Sequence, residues 1–170
     1  MNTLLLLRHA KSSWDDPLLE DFDRPLARRG REAAPAMGRL MAERGWLPDL
    51  ALVSPAARAR ETWALLAAAL PAPVEPRLEP SLYMAAPEEI LALLRALDTT
   101  PETVLVIGHN PGLEECAALL AAPGSDPRAL ARMRRKFPTA ALARFAFEGP
   151  WSALGSRGAR LLDFLKPKDL

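Results

Sequence analysis

The chain reads as an α/β domain, a three-layer sandwich whose central, mostly parallel sheet carries helices on both faces. Two observations predict it. The apolar runs at residues 4–7 and 103–108 are short and unbroken, as strands buried on both faces are. Strand-like and helix-like segments then alternate through most of the 170 residues, which is the pattern of successive βα units. Each run ends in a histidine, His9 and His109, and the chain has only these two.

Taken in order, residues 3–8 form the first expected strand. Residues 10–27 are mostly loop, because Ser12-Ser13-Trp14-Asp15-Asp16-Pro17 and Asp23-Arg24-Pro25 are turn-forming. A loop of that length is often functional. A helix is expected over 27–44 with Gly45 as its stop, and Pro35 inside it predicts a kink or a later start. Residues 49–53 form the second strand. Ser54-Pro55 then pairs an N-cap with proline at the first helical position, opening a helix over 56–70. Residues 74–78 are a short strand and 79–86 a loop. Pro87-Glu88-Glu89 opens a helix with its acids at the favourable end, and that helix closes near Leu97. Residues 103–107 form the fourth strand. Asn110-Pro111 repeats the cap-plus-proline signal, starting a helix that reaches about residue 121. Residues 127–135 are helical, and 139–147 and 160–165 are strands. No repeat or linker divides the chain, so one domain over 1–170 is expected.

Composition excludes several classes. With 22 basic and 21 acidic residues the net charge is +1, which argues against bulk nucleic-acid or membrane binding. Hydrophobic residues at 49% and charged ones at 25% are ordinary for a globular protein. The single cysteine, Cys116, permits no intrachain disulfide and suits a reducing cytoplasm. The apolar run near the start is too short for a leader or a membrane span.

The chemistry gathers at strand ends. The first strand delivers Arg8-His9, the second Ser54-Pro55 and then Arg58, the fourth His109 before a helix. If these strands lie parallel and adjacent, the polar sets meet at one edge of the sheet, where α/β proteins hold ligands. Helix N-termini and arginine forks both suit phosphate oxygens, so a phosphoryl group is the expected occupant. A neutral imidazole can attack phosphorus, while a second histidine and the arginines stabilise the equatorial oxygens. Arg8 and Lys11 flank His9 and favour its free base, which makes it the expected nucleophile. No metal is expected, since two histidines without a carboxylate or cysteine cluster make a poor site. Arg28, Arg29, Arg31, Arg39 and Arg60 read as solvated helix faces. Arg132-Met133-Arg134-Arg135-Lys136 reads as a solvated helix end, with contact to an acidic partner as the alternative. Cys116 reads as core, and Trp14, Trp46 and Tyr83 as packing.

The residues Leu7-Arg8-His9-Ala10-Lys11 resemble the Arg-His-Gly signature of the histidine phosphatase superfamily. The likeness continues through Arg24-Pro25-Leu26 with Gly30, through Val53-Ser54-Pro55-Ala56-Ala57-Arg58-Ala59-Arg60-Glu61-Thr62, and through Val106-Ile107-Gly108-His109-Asn110-Pro111. Short length, the Arg-His-Ala-Lys variant and Phe137-Pro138-Thr139-Ala140 resemble the SixA-type phosphohistidine phosphatase branch. The resemblance implies a phosphoglycerate mutase-like fold, His9 as the phosphorylated nucleophile, and Arg8, Arg58 and His109 around the phosphate. It adds Arg24 near the site. It implies no cofactor, and a phosphorylated protein or small phosphorylated molecule as partner. Many members use a mid-chain carboxylate as general acid, for which Glu79 is the one candidate here. A missing acid would favour phosphohistidine, whose imidazole leaves more easily than an alkoxide. The alternatives are a phosphatase of a small metabolite and a non-catalytic phosphate-binding or phosphoprotein-docking module.

Overall fold

The computed structural model describes all 170 residues. In chain order the elements are β1 (Asn2–Arg8), α1 (Arg28–Arg44), β2 (Leu50–Val53), α2 (Ala57–Ala67), β3 (Pro76–Leu78), α3 (Pro87–Arg95), β4 (Thr103–Gly108), α4 (Gly112–Leu120), α5 (Pro127–Arg135), β5 (Leu142–Phe147) and β6 (Arg160–Leu165). They build one six-stranded sheet in the order β3-β2-β4-β1-β5-β6. The first four strands are mutually parallel; β5 runs antiparallel to β1, and β6 antiparallel to β5.

The leucine run of β1 explains the three layers. Successive side chains of a strand point to opposite faces. Leu4 and Leu6 join the larger core with Val104, Val106 and the inner faces of α3, α4 and α5. Leu5 and Leu7 join the second core with Leu105, Ile107 and the inner faces of α1 and α2, including Met41, Trp63 and Leu66. All four leucines are buried, and each contributes about 2 kcal/mol by leaving water. A strand apolar on both faces can only sit at the centre of such a sandwich.

Helix α1 is continuous from Arg28 through Pro35, so the later start does not occur. Proline removes one backbone donor, but Ala34, Met37, Gly38 and Met41 bury the helix against its neighbours, and this packing outweighs the local loss. Gly45 stops it with a left-handed φ of 71°. Helix α1 also comes very close to the loop that follows β1. A Cβ on Gly30 would fall 2.2 Å from the Lys11 carbonyl oxygen, so only glycine permits the contact.

Two start signals act differently from the sequence expectation. Helix α2 begins at Ala57, outside Ser54-Pro55. The Ser54 hydroxyl accepts from the Ala56 N–H at 3.3 Å but also meets a histidine, described below. Helix α4 begins at Gly112, and the Asn110 Oδ1 accepts from the Glu114 N–H at 3.1 Å. The strand expected over 139–147 starts only at Leu142. Before it, Ala140 adopts φ 61°, and its N–H lies 3.0 Å and 3.1 Å from the carbonyls of Arg8 and His9. Those residues brace the end of β1 instead of extending β5.

Candidate active site

Register decides which residues meet. Each β1 residue faces the β4 residue numbered one hundred higher, from Thr3 opposite Thr103 to Arg8 opposite Gly108. The next residue on each strand is a histidine. The rings of His9 and His109 consequently lie with centroids 5.2 Å apart. On the far side of β4, Val53 of β2 faces Ile107, which brings Ser54 and the start of α2 to the same edge. A cavity of about 290 Å³ opens there. It is lined by Arg8, His9, Arg24, Arg58 and His109, together with Asp21 and others.

Arg58 is the hub. It is 2% exposed, and its guanidinium joins both imidazoles to Asp21. The Nε–H donates to His9 Nε2 at 3.3 Å, and an Nη2–H donates to His109 Nδ1 at 3.3 Å. The same fork reaches the Asp21 carbonyl at 2.7 Å and the Asp21 carboxylate at 3.0 Å. Its position in the first turn of α2 is held by Thr62. That hydroxyl donates to the Arg58 carbonyl at 2.7 Å and accepts from the Ala10 N–H at 3.0 Å, so one side chain links α2 to the backbone after His9.

These partners fix both imidazole tautomers. His9 Nδ1 lies 2.7 Å from the Ala10 carbonyl, which can only accept, so Nδ1 carries the proton. Nε2 then presents a lone pair to Arg58. In His109 the assignment is reversed. Nδ1 faces an arginine donor and is bare, while Nε2–H donates to the Ser54 hydroxyl at 2.7 Å. Burial pushes His9 down to about 3, with His109, Arg58 and Arg8 adding to the effect. Burial and then Arg58 push His109 down to about 4. Both rings are neutral at physiological pH.

A pH dependence follows. Both folded values lie below the ordinary 6.5, so unfolding in acid takes up protons that the native state refuses. The stabilisation is complete above about pH 6.5 and is lost as pH falls toward 4 and then 3. Near pH 5 the two rings steepen stability by about 3 kcal/mol per pH unit. With only two histidines, proton NMR reads each ring directly. Neither Hε1 resonance is expected to titrate above pH 5; a midpoint near 6.5 for either would contradict the geometry.

Arg8 and Arg24 differ from each other. Arg8 donates to the Phe137 carbonyl at 3.2 Å, and its Nε is the one buried side-chain polar atom without a partner. Arg24 is fully engaged. It donates to the Ser12 hydroxyl at 2.8 Å and to the Asp21 carboxylate, and its guanidinium lies 3.5 Å from the Trp14 ring centroid. It therefore shapes the long loop as well as lining the cavity.

The carboxylate in the cavity is Asp21, which sequence reasoning missed. Glu79, the acid expected from the sequence, instead pairs with Arg77 at 2.9 Å and does not line the cavity. Asp21 accepts from the Tyr83 hydroxyl at 2.6 Å, and that bond, with Arg58 and Arg24, holds its carboxyl at about 2. Tyr83, read as packing, stands edge-on to His109 with centroids 5.4 Å apart. Thr62 and Ser54 lay inside the quoted motif, but nothing local announced their hydrogen bonds. Asp21 had one signal, its place in a long polar loop. Cys116 is buried core, its thiol pushed up to about 12 by burial, and takes no part.

Fold and cavity define a class, an α/β protein with an arginine- and histidine-lined pocket at the carboxyl edge of its parallel strands. Residues 4–82 match the histidine phosphatase superfamily (branch 1). An uncharacterised protein of Mycobacterium tuberculosis is 38% identical over 166 residues, spanning 95% of this chain and 100% of the other. Among solved structures, the candidate phosphohistidine phosphatase SixA of Nakamurella multipartitia superposes with TM-score 0.82 at 32% identity, covering 98% of this chain and 96% of that one. Its counterpart from Agrobacterium tumefaciens gives 0.80 at 33% identity, with 98% and 99% covered. The chain belongs to the histidine phosphatase superfamily, in its SixA-type branch. Its phosphoglycerate mutase-like fold and its class, phosphatase, follow from that membership.

Proposed function

We propose that the protein is a phosphohistidine phosphatase working through a covalent intermediate on His9. The observation that carries the reading is the His9 tautomer: a bare Nε2 in a cavity lined with guanidinium groups. In the first step the Nε2 lone pair attacks phosphorus in line, forming an N–P bond as the bond to the substrate imidazole breaks. In the second, water attacks the phosphoryl group and His9 leaves with its electron pair, regenerating neutral imidazole. Arg58 and Arg8 take the equatorial oxygens of a loose transition state, while His109, its Nε2–H held by Ser54 and its Nδ1 bare, orients the Arg58 fork. An oxyanion also supplies the partner that Arg8 Nε lacks. Arg24 holds the loop that closes the cavity.

The leaving group follows from the acids. Asp21 is ionised, with its carboxyl near 2, and is held by Arg58, Arg24 and Tyr83, so it offers no proton to an alkoxide. Glu79 is tied to Arg77. An alkoxide needs a proton in the transition state, a contribution of about 10²–10⁴ in rate. A phosphorylated imidazole protonated on its distal nitrogen departs as a neutral molecule and needs none at the scissile atom. The SixA assignment of the similar structures points the same way.

The test is a comparison of kcat/KM for a phosphohistidine peptide and for simple alkyl phosphates. A ratio of at least about 10² in favour of the peptide is expected. Equal rates would favour a metabolite phosphatase. Binding of phosphopeptide without turnover, and without acid-labile label on His9, would leave a docking module.

A further inference from the structure

Beside the phosphate cavity lies a second one, of about 270 Å³, which shares Lys11 and Thr139 with it as common walls. Five cations line it: Lys11, Arg29, Lys136, Lys166 and Lys168. No acidic residue does. The whole chain is nearly neutral, with 22 basic and 21 acidic residues, so this one wall concentrates positive charge while the rest of the chain is net acidic. None of the five takes part in an ion pair, whereas neighbouring Arg28 is paired with Glu32 and Arg132 with Asp169. The cations come from separate parts of the chain: the loop after β1, the start of α1, the residue after α5, and the turn after β6. Only the fold assembles them.

We propose that this cavity is a docking subsite for an acidic segment of the phosphorylated protein, next to the phosphoryl group in the first cavity. The proposal rests on the phosphatase reading and adds the partner's chemistry to it. Uncompensated like charges within one cavity repel one another, and an anionic partner relieves that repulsion. A polypeptide suits the wall better than a compact second phosphate. A compact site would hold its donors buried and prefixed by hydrogen bonds, but Lys11, Arg29, Lys136 and Lys168 are exposed. Long, mobile ammonium groups fit carboxylates spread along a chain. The mouth of the phosphate cavity also presents large apolar side chains to solvent. Trp14 is 71% exposed and Met84 51%, and both line that cavity. Exposed apolar surface beside a charged wall is a feature of protein docking sites.

The experiment uses two peptides carrying phosphohistidine, one flanked by Asp and Glu, one by Ser and Gln. A matching pair carries a non-hydrolysable phosphohistidine analogue for binding by fluorescence anisotropy. The intact protein is expected to favour the acidic peptide about tenfold in kcat/KM at low salt, with the preference shrinking as salt rises. In the double variant Lys136→Glu, Lys168→Glu the preference falls to about one or inverts. The milder Lys136→Gln, Lys168→Gln pair gives an intermediate value and guards against misfolding. An equal response to both peptides in the intact protein, or an acidic preference that survives the charge reversal, overturns the proposal. So does a bis-phosphorylated small molecule that gains from the five cations while the peptides are not distinguished. If neither peptide turns over but the acidic analogue still binds preferentially and loses that preference in the variant, the subsite stands and the hydrolytic reading falls.

Discussion

His9→Ala is expected to lower turnover by a factor on the order of 10⁴–10⁶, the scale on which loss of a covalent nucleophile is felt. The substitution removes the only bare imidazole Nε2 in the cavity, and no other side chain there can replace it. His109 presents no bare Nε2, because that nitrogen carries the proton donated to Ser54. Cys116 cannot, because it is buried in the core, and its thiol ionises only at about 12. Folding should survive, since the His9 side chain makes only two hydrogen bonds, one to its neighbour's carbonyl. Arg58 remains to hold phosphate, so binding of the substrate analogue should persist while hydrolysis stops. The check is twofold: steady-state turnover, and an acid-labile phosphoryl label that appears on the parent protein and not on the variant. Turnover in His9→Ala within tenfold of the parent would remove the covalent mechanism altogether.

Arg58→Ala should cost about 10²–10³ in kcat/KM, the scale of losing an electrostatic donor to the transition state. One guanidinium touches both imidazoles and both ends of Asp21, so its loss is felt at four places. Arg58→Lys should recover little, because a point charge cannot replace a planar fork that reaches His9, His109 and Asp21 together. A second readout separates this role from simple packing. Arg58 is among the causes that depress both histidines, so both NMR midpoints should move upward in Arg58→Ala. Asp21 should lose part of what holds it near 2 and move upward as well. Full activity in Arg58→Ala, or unmoved midpoints, would show that the arginine only fills space.

The strands were legible because a leucine run admits few alternatives. Four consecutive leucines do not suit a half-exposed helix face, and so short a run fits a strand buried on both sides. Both histidines, Arg8 and Arg58 were legible as strand-end residues, and the superfamily signature ordered them. Other features were illegible for a definite reason. Asp21 lies 37 positions from Arg58 and 62 from Tyr83, so its partners leave no local trace. Ser54 looked like a helix cap because Ser-Pro usually is one; its hydroxyl meets the Ala56 N–H but also the His109 ring that follows β4. Glu79 was the reasonable acid by position, and Arg77, two residues earlier on the edge strand β3, took it instead.

Local chemistry thus indicated most of the segments that become strands and helices, through periodicity and caps within a few positions, while packing moved the ends of α2 and β5 and carried α1 through Pro35. The fold alone decided that β1 and β4 pair in a register that brings His9 level with His109. The loop after β1 then brings Asp21 to the same cavity. Register and loop closure are settled by burial summed over the whole sheet, and no short window of residues contains that sum.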